Sequence, residues 1–136
     1  MIRKILVAID GSEHASRALD LALEIAEKFS TEVVLLSVVD YMPIIDEEYI
    51  NRMKKRHREI ITEAIKKVKN VKPHLKATEK LVEGRPADKI IETAKEGEFD
   101  MIFMGSRGQG GIKEFYLGSV SDRVADGAPC PVVIVK

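Results

Sequence analysis

Two short stretches of the chain carry residue types suited to holding a phosphate. Gly105-Ser106-Arg107-Gly108 directly follows the apolar run Met101-Ile102-Phe103-Met104, and after nine intervening residues comes Gly118-Ser119-Val120-Ser121. A strand that runs into a glycine-bearing loop, which in turn opens a helix, aims unpaired backbone N–H groups at an anion. Gly105 and Gly108 are free to take positive φ and let backbone approach a ligand with no Cβ between them. Gly118, Ser119 and Ser121 put a small residue and two hydroxyls at a helix start, where the positive end of the dipole favours negative charge. Arg107 and Lys113 can add charge-assisted bonds to phosphate oxygens. A side chain added at Gly118 is expected to obstruct the phosphate while leaving the fold largely intact.

The second stretch is Ile9-Asp10-Gly11-Ser12. Asp10 suits a ribose hydroxyl or, through water, a divalent ion on the phosphates. Both stretches also have a plainer reading: Asp-Gly as a ligand-free turn, and the later glycines as a strand end and a helix start. The G-x-x-x-x-G-K-[ST] loop is absent, and Gly105 begins too late, with the wrong spacing, for the G-x-G-x-x-G dinucleotide turn.

The elements that must position these residues are legible as alternating patterns. Ile5-Leu6-Val7-Ala8-Ile9, within a strand from Arg3 to Ile9, is a nearly continuous apolar run, as expected when both faces of a parallel sheet are covered. Ala15, Ala18, Leu19, Ala22, Ile25, Ala26 and Phe29 then follow helical spacing over Glu13 to Phe29, with Ser12 as N-cap. Val33 to Leu36 marks a second buried strand over Glu32 to Val39, and Asp40 to Pro43 turns the chain. Ile45, Tyr49, Met53, Ile60, Ile61, Ala64, Ile65 and Val68 stripe a second helix. His57 falls one turn after Met53, at the edge of that stripe, with no second histidine or cysteine spaced for a metal.

Leu75 to Val82 reads as a charge-protected strand at a sheet border. Pro86 suits the first position of a third helix, ending near Gly97. The strand Met101 to Met104 follows, then a helix from Ser119 to Asp126 with Gly127 as its C-cap, and a last strand Val132 to Val135. Right-handed crossovers turn such alternation into an α/β fold: an open, mostly parallel five-stranded sheet with helices on both faces, Rossmann-like.

The 136 residues suit one domain, 1–136, and lysine plus arginine equals aspartate plus glutamate at 22 each. With no global basic field, a nucleic-acid partner is not expected. The cluster Lys54 to Arg58 sits among Asp46, Glu47, Glu48, Glu59 and Glu63, at distances that allow i,i+4 pairing on a solvated helix face. Apolar runs are strand-length and a strand starts almost at the N-terminus, so neither a membrane span nor a signal peptide is expected, and the location is expected to be cytoplasmic. Cys130, the single cysteine, reads as a packing residue between Pro129 and Pro131.

Gly105-x-x-Gly108, nine residues, Gly118-Ser119 resembles the ATP-binding signature of the universal stress protein family. Ile5 to Ser12, Gly84-Arg85-Pro86-Ala87, Asp100 to Gly105 and Cys130 to Val135 are also similar to it, so the resemblance spans essentially the whole chain. It implies a sheet of order 3-2-1-4-5, of the adenine nucleotide alpha hydrolase-like kind, with a cleft between strands 1 and 4. It further implies ATP or another adenine nucleotide as ligand, with adenine against Ala8, Ile9, Asp10 and Val38, and ribose near Asp10 and Gly105. The phosphates would lie at Gly108, Gly118, Ser119, Val120 and Ser121, often with Mg²⁺ or Mn²⁺. Met104 and Arg107 complete the candidate site. The resemblance also implies a homodimer through Val132, Val133, Ile134 and Val135.

Hydrolysis would need a water-positioning base and a stabiliser for the transferred phosphoryl group. Neither loop holds a histidine, and the nearby carboxylates are Asp10, Glu114 and Asp122, the last suited to a helix surface. The expectation is therefore an ATP-binding switch module of the stress response. The alternatives are a slow ATPase or autophosphorylating protein using Ser119 or Ser121, and a dimeric interaction module with an empty pocket.

Overall fold

A computed structural model describes residues 1–41, 46–107 and 118–136. The elements run β1 (Lys4–Ala8), α1 (Glu13–Phe29), β2 (Glu32–Asp40), α2 (Glu47–Val71), β3 (Ala77–Gly84), α3 (Pro86–Glu96), β4 (Met101–Gly105), α4 (Ser119–Gly127) and β5 (Val132–Val135). The strands form a five-stranded sheet in the order β3-β2-β1-β4-β5, with every pairing parallel. This is the α/β, Rossmann-like arrangement that the alternating pattern implies.

Strand periodicity sends alternate residues to opposite faces. Ile5, Val7, Val33, Leu35 and Phe103 pack beneath α1 and α2, whereas Leu6, Val34, Leu36, Ile102 and Met104 pack beneath α3 and α4. Both faces are covered, so the central strands are apolar throughout. Burying one such side chain contributes about 1.5–3 kcal/mol. The border strands differ: β3 exposes Thr78, Glu79 and Lys80, while all four residues of β5 are half-buried.

Of the two glycines expected to end helices, Gly97 is the cap and Gly127 serves packing. Gly127 closes α4 as its last residue, the C-cap falling on Ala128, and a Cβ there would sit 2.9 Å from Ile91 Cδ1. It lets α4 approach α3. Gly97 caps α3 in right-handed geometry, and a Cβ there would meet the Phe99 ring at 2.5 Å. The left-handed C-cap conformation is taken by Ser30 at the end of α1.

The charged face of α2 is solvated, as its pattern implies. Arg52 pairs with Glu48 one turn earlier, but Lys54 reaches across to Glu83 on β3. Cys130 packs among the side chains under α3 and α4, and burial raises its thiol pKa. No helix among the described residues is long and apolar enough to cross a membrane.

Candidate functional site

In this strand order the chain leaves β1 toward β2 and returns to place β4 on the other side of β1. A crevice at the carboxyl ends of the strands follows from that reversal, since the flanking connections diverge there. A cavity of about 510 Å³ occupies the position.

The loop after β1 is locked by its own side chains. Gly11 has φ +86°, a left-handed conformation favouring glycine. Ser12 N–H donates to Asp10 Oδ1 at 2.9 Å, and Ser12 Oγ accepts from Ala15 N–H at 3.1 Å, capping α1. Asp10 is thereby held at the cleft rim.

The loop after β4 is tied from several sides through Ser106. Its N–H donates to the Val135 carbonyl at 2.7 Å, its carbonyl accepts from Gly118 N–H at 2.8 Å and Ser121 Oγ at 2.9 Å, and its Oγ meets His14 Nδ1 at 3.1 Å. Gly105 does not adopt positive φ; the described glycines that do are Gly11 and Gly84. Instead a Cβ at Gly105 would lie 2.6 Å from His14 Cβ and 2.9 Å from Ala15 N. The bare Cα lets the first turn of α1 close on the strand end.

Helix α4, like α3 with Arg85 as its N-cap, opens without a side-chain cap. Ser12 and Asp46 cap α1 and α2 with their side chains, but Gly118, the N-cap of α4, offers none. Its first internal bond runs from Asp122 N–H to the Gly118 carbonyl. Ser119, Val120 and Ser121 N–H groups therefore have no acceptor within the helix. Beside them Arg107 buries Nη2, for which the described residues supply no acceptor. A buried cationic donor without a partner is costly.

The cleft brings together Ala8, Ile9, Asp10, Val38, Met104, Gly105, Arg107, Gly118, Ser119, Val120 and Ser121. Gly108, like Lys113 and Glu114, lies outside the described residues. Ser121 is only 2% exposed and gives its proton to the carbonyls of Ser106 and Gly118. Gly118 is also less free than its sequence suggests, because a Cβ there would lie 3.1 Å from the Ser106 carbonyl oxygen. A valine at this position would press on the fold as well as on a ligand.

Sequence reasoning missed part of the wall. Met53 and His57, one turn apart on α2, both line the cleft, as do Leu36, Pro86 and Ile90. His57 Nδ1 lies 2.8 Å from the Oγ of Ser37, which is 0% exposed. Burial lowers the His57 pKa, the charge of Arg56 adds to this, and that of Asp10 opposes it. The signal for Met53 and His57 was their four-residue spacing on one helix edge.

Residues 1–136 match the family model described as the universal stress protein family. The chain belongs to this family. The universal stress protein YxiE of Bacillus subtilis is 36% identical, with 100% of each chain covered. Among solved structures, MJ0577 of Methanocaldococcus jannaschii is similar with a TM-score of 0.83 and 33% identity, covering 100% of this chain and 96% of that one. A universal stress protein in complex with cAMP is similar with a TM-score of 0.77 and 25% identity, covering 98% and 97%. In this universal stress protein, then, the cleft at the β1–β4 reversal joins a tied rim at Asp10 to an open one at α4.

Proposed function

We propose that the cleft binds an adenine nucleotide, with its phosphates at the α4 N-terminus and Arg107 and its nucleoside toward Asp10 and Val38. The observation that carries this reading is the buried Arg107 Nη2 without a described acceptor, set beside a helix start that no side chain caps. A phosphate satisfies both at once, through charge-assisted bonds and the helix dipole. Ala8, Leu36, Val38, Ile90 and Met104 give the other part of the cavity apolar walls suited to a base. The similar protein solved with cAMP carries an adenine nucleotide, which supports the same ligand class here.

ATP with Mg²⁺ or Mn²⁺ is the specific ligand we infer. Among the described residues no group of three His, Cys, Asp or Glu is placed to hold a metal ion. The cation would ride on the phosphates, with Asp10 touching it through water. We read residues 1–136 as one cytoplasmic domain in which nucleotide occupancy orders the α4 rim, an order–disorder switch. The half-buried edge of β5 suits a homodimer through Val132 to Val135, which would cover an otherwise unpaired strand. Phosphoryl transfer to Ser121 is disfavoured by its burial and its carbonyl partners, leaving the exposed Ser119 as the only serine of the pair open to that alternative.

Mass spectrometry of small molecules that copurify with the protein, followed by thermal unfolding with ATP and Mg²⁺, tests the proposal. Ligand at a hundred times its dissociation constant adds about 2.7 kcal/mol, a rise of several degrees in Tm for a chain of this size. No adenine compound in the purified protein, together with an unmoved Tm, refutes it.

A further inference from the structure

The Ser37 hydroxyl is wholly buried on β2, and its partner is His57 Nδ1 at 2.8 Å. A buried hydroxyl proton left without an acceptor costs free energy, so Ser37 donates and Nδ1 accepts. Nδ1 is then unprotonated and the ring proton sits on Nε2. His57 lines the cleft, and with Nδ1 engaged by Ser37, Nε2–H is the polar group the ring has left to offer a ligand. Asp10, an acceptor, lies near enough for its charge to act on the ring. This part of the wall thus pairs an acceptor with a neutral donor.

We propose that His57 is a specificity-determining residue of the cleft, donating Nε2–H to a neutral acceptor on the nucleoside, with Ser37 as the positioning residue that fixes its tautomer. The inference rests on the nucleotide reading of the same cleft and adds what the α2 side demands of the ligand. An anion suits the α4 rim, whereas α2 offers a neutral N–H donor, to which a ribose hydroxyl or a base ring nitrogen can supply the lone pair. Methionine at position 53, one turn earlier on the same wall, provides no competing donor.

Binding of ATP, 2′-deoxy-ATP, 3′-deoxy-ATP and the 1-, 3- and 7-deaza analogues of ATP, measured by calorimetry on the wild type, His57→Phe and His57→Gln, tests this. Phenylalanine keeps the ring and loses the donor; glutamine restores a donor near the Nε2 position. ATP should bind His57→Phe about five- to tenfold more weakly, with His57→Gln recovering most of the loss. One analogue, lacking the atom that His57 contacts, should bind the wild type as weakly as ATP binds His57→Phe, and should suffer no further loss in that variant. Ser37→Ala should show a smaller loss with the same analogue pattern. An equal penalty across every analogue would indicate a structural role and overturn the proposal, as would unchanged ATP affinity in His57→Phe. Failure of the wild type to bind ATP at all would instead remove the nucleotide reading beneath it.

Discussion

At the β1–β2 end of the cleft the polar groups are tied to one another before any ligand arrives: Asp10 accepts from Ser12 N–H, and His57 is held by Ser37. At the β4–α4 end Arg107 Nη2 is buried without a described acceptor, and the first N–H groups of α4 face a glycine cap. The contrast separates two tasks. On the proposed reading, the tied end is preorganised to read neutral atoms at little ordering cost, while the open end takes the charge of the phosphates. Affinity and salt sensitivity should come from α4, and discrimination between nucleosides from α2.

The largest effect is expected at the open end. Arg107→Met should weaken ATP binding by about 10- to 100-fold, the range for a hydrogen bond to a charged group. The Tm of the nucleotide-free protein should hold or rise, since an uncompensated buried cation is removed. Calorimetric titrations at two ionic strengths sharpen the comparison: the salt dependence should flatten in Arg107→Met and persist in His57→Phe. Equal salt slopes in the two variants would erase the proposed division of the cleft.

Next come substitutions at the joint between the two ends. Gly105→Ala places a Cβ 2.6 Å from His14 Cβ and 2.9 Å from backbone, so α1 must shift off the end of β4. Such overpacking costs about 1–3 kcal/mol, and Tm should fall by roughly 3 to 10 °C. Ser12→Ala removes only the cap on α1, for about 1 kcal/mol. If thermal unfolding shows Ser12→Ala as the worse of the two, close approach is not the reason for Gly105.

How much of this was readable in the chain follows from the range of the forces involved. Strands and helices rest on local periodicity, so α1 could be bounded from Glu13 to Phe29 with Ser12 as its cap, as found. Strand order has no local signature; it came with the family resemblance carried by Gly105, Gly108, Gly118 and Ser119. The cleft residues on β1, β4 and α4 were accessible because turn chemistry and helix starts are written in adjacent residues. Contacts between distant segments were not. Nothing near Gly105 announces His14, 91 residues earlier, and nothing near Gly127 announces Ile91, so glycines selected by packing were read as conformational ones. Met53 and His57 were visible as a helix edge, but only the crossing of α2 over β2 turns that edge into a wall of the site.

The smallest effect concerns the tied end and is read from pH. Folding lowers the pKa of His57 below its ordinary value of about 6.5, chiefly by burial. Between the folded and unfolded values the unfolded chain holds a proton that the folded one lacks, so stability falls as pH falls through that window. The imidazole contributes fully above the unfolded value and least below the folded one. Asp100, whose carboxyl is held below its usual range by the Arg3 and Lys4 amides, acts in the same direction, but only in more acid solution. Urea midpoints for the wild type and His57→Gln between pH 8 and pH 5 isolate the His57 window, because the Asp100 window lies at more acid pH. Identical slopes in both proteins would mean that His57 titrates as freely in the folded state as in the unfolded chain. The α2 end would then be no more firmly tied than the α4 end.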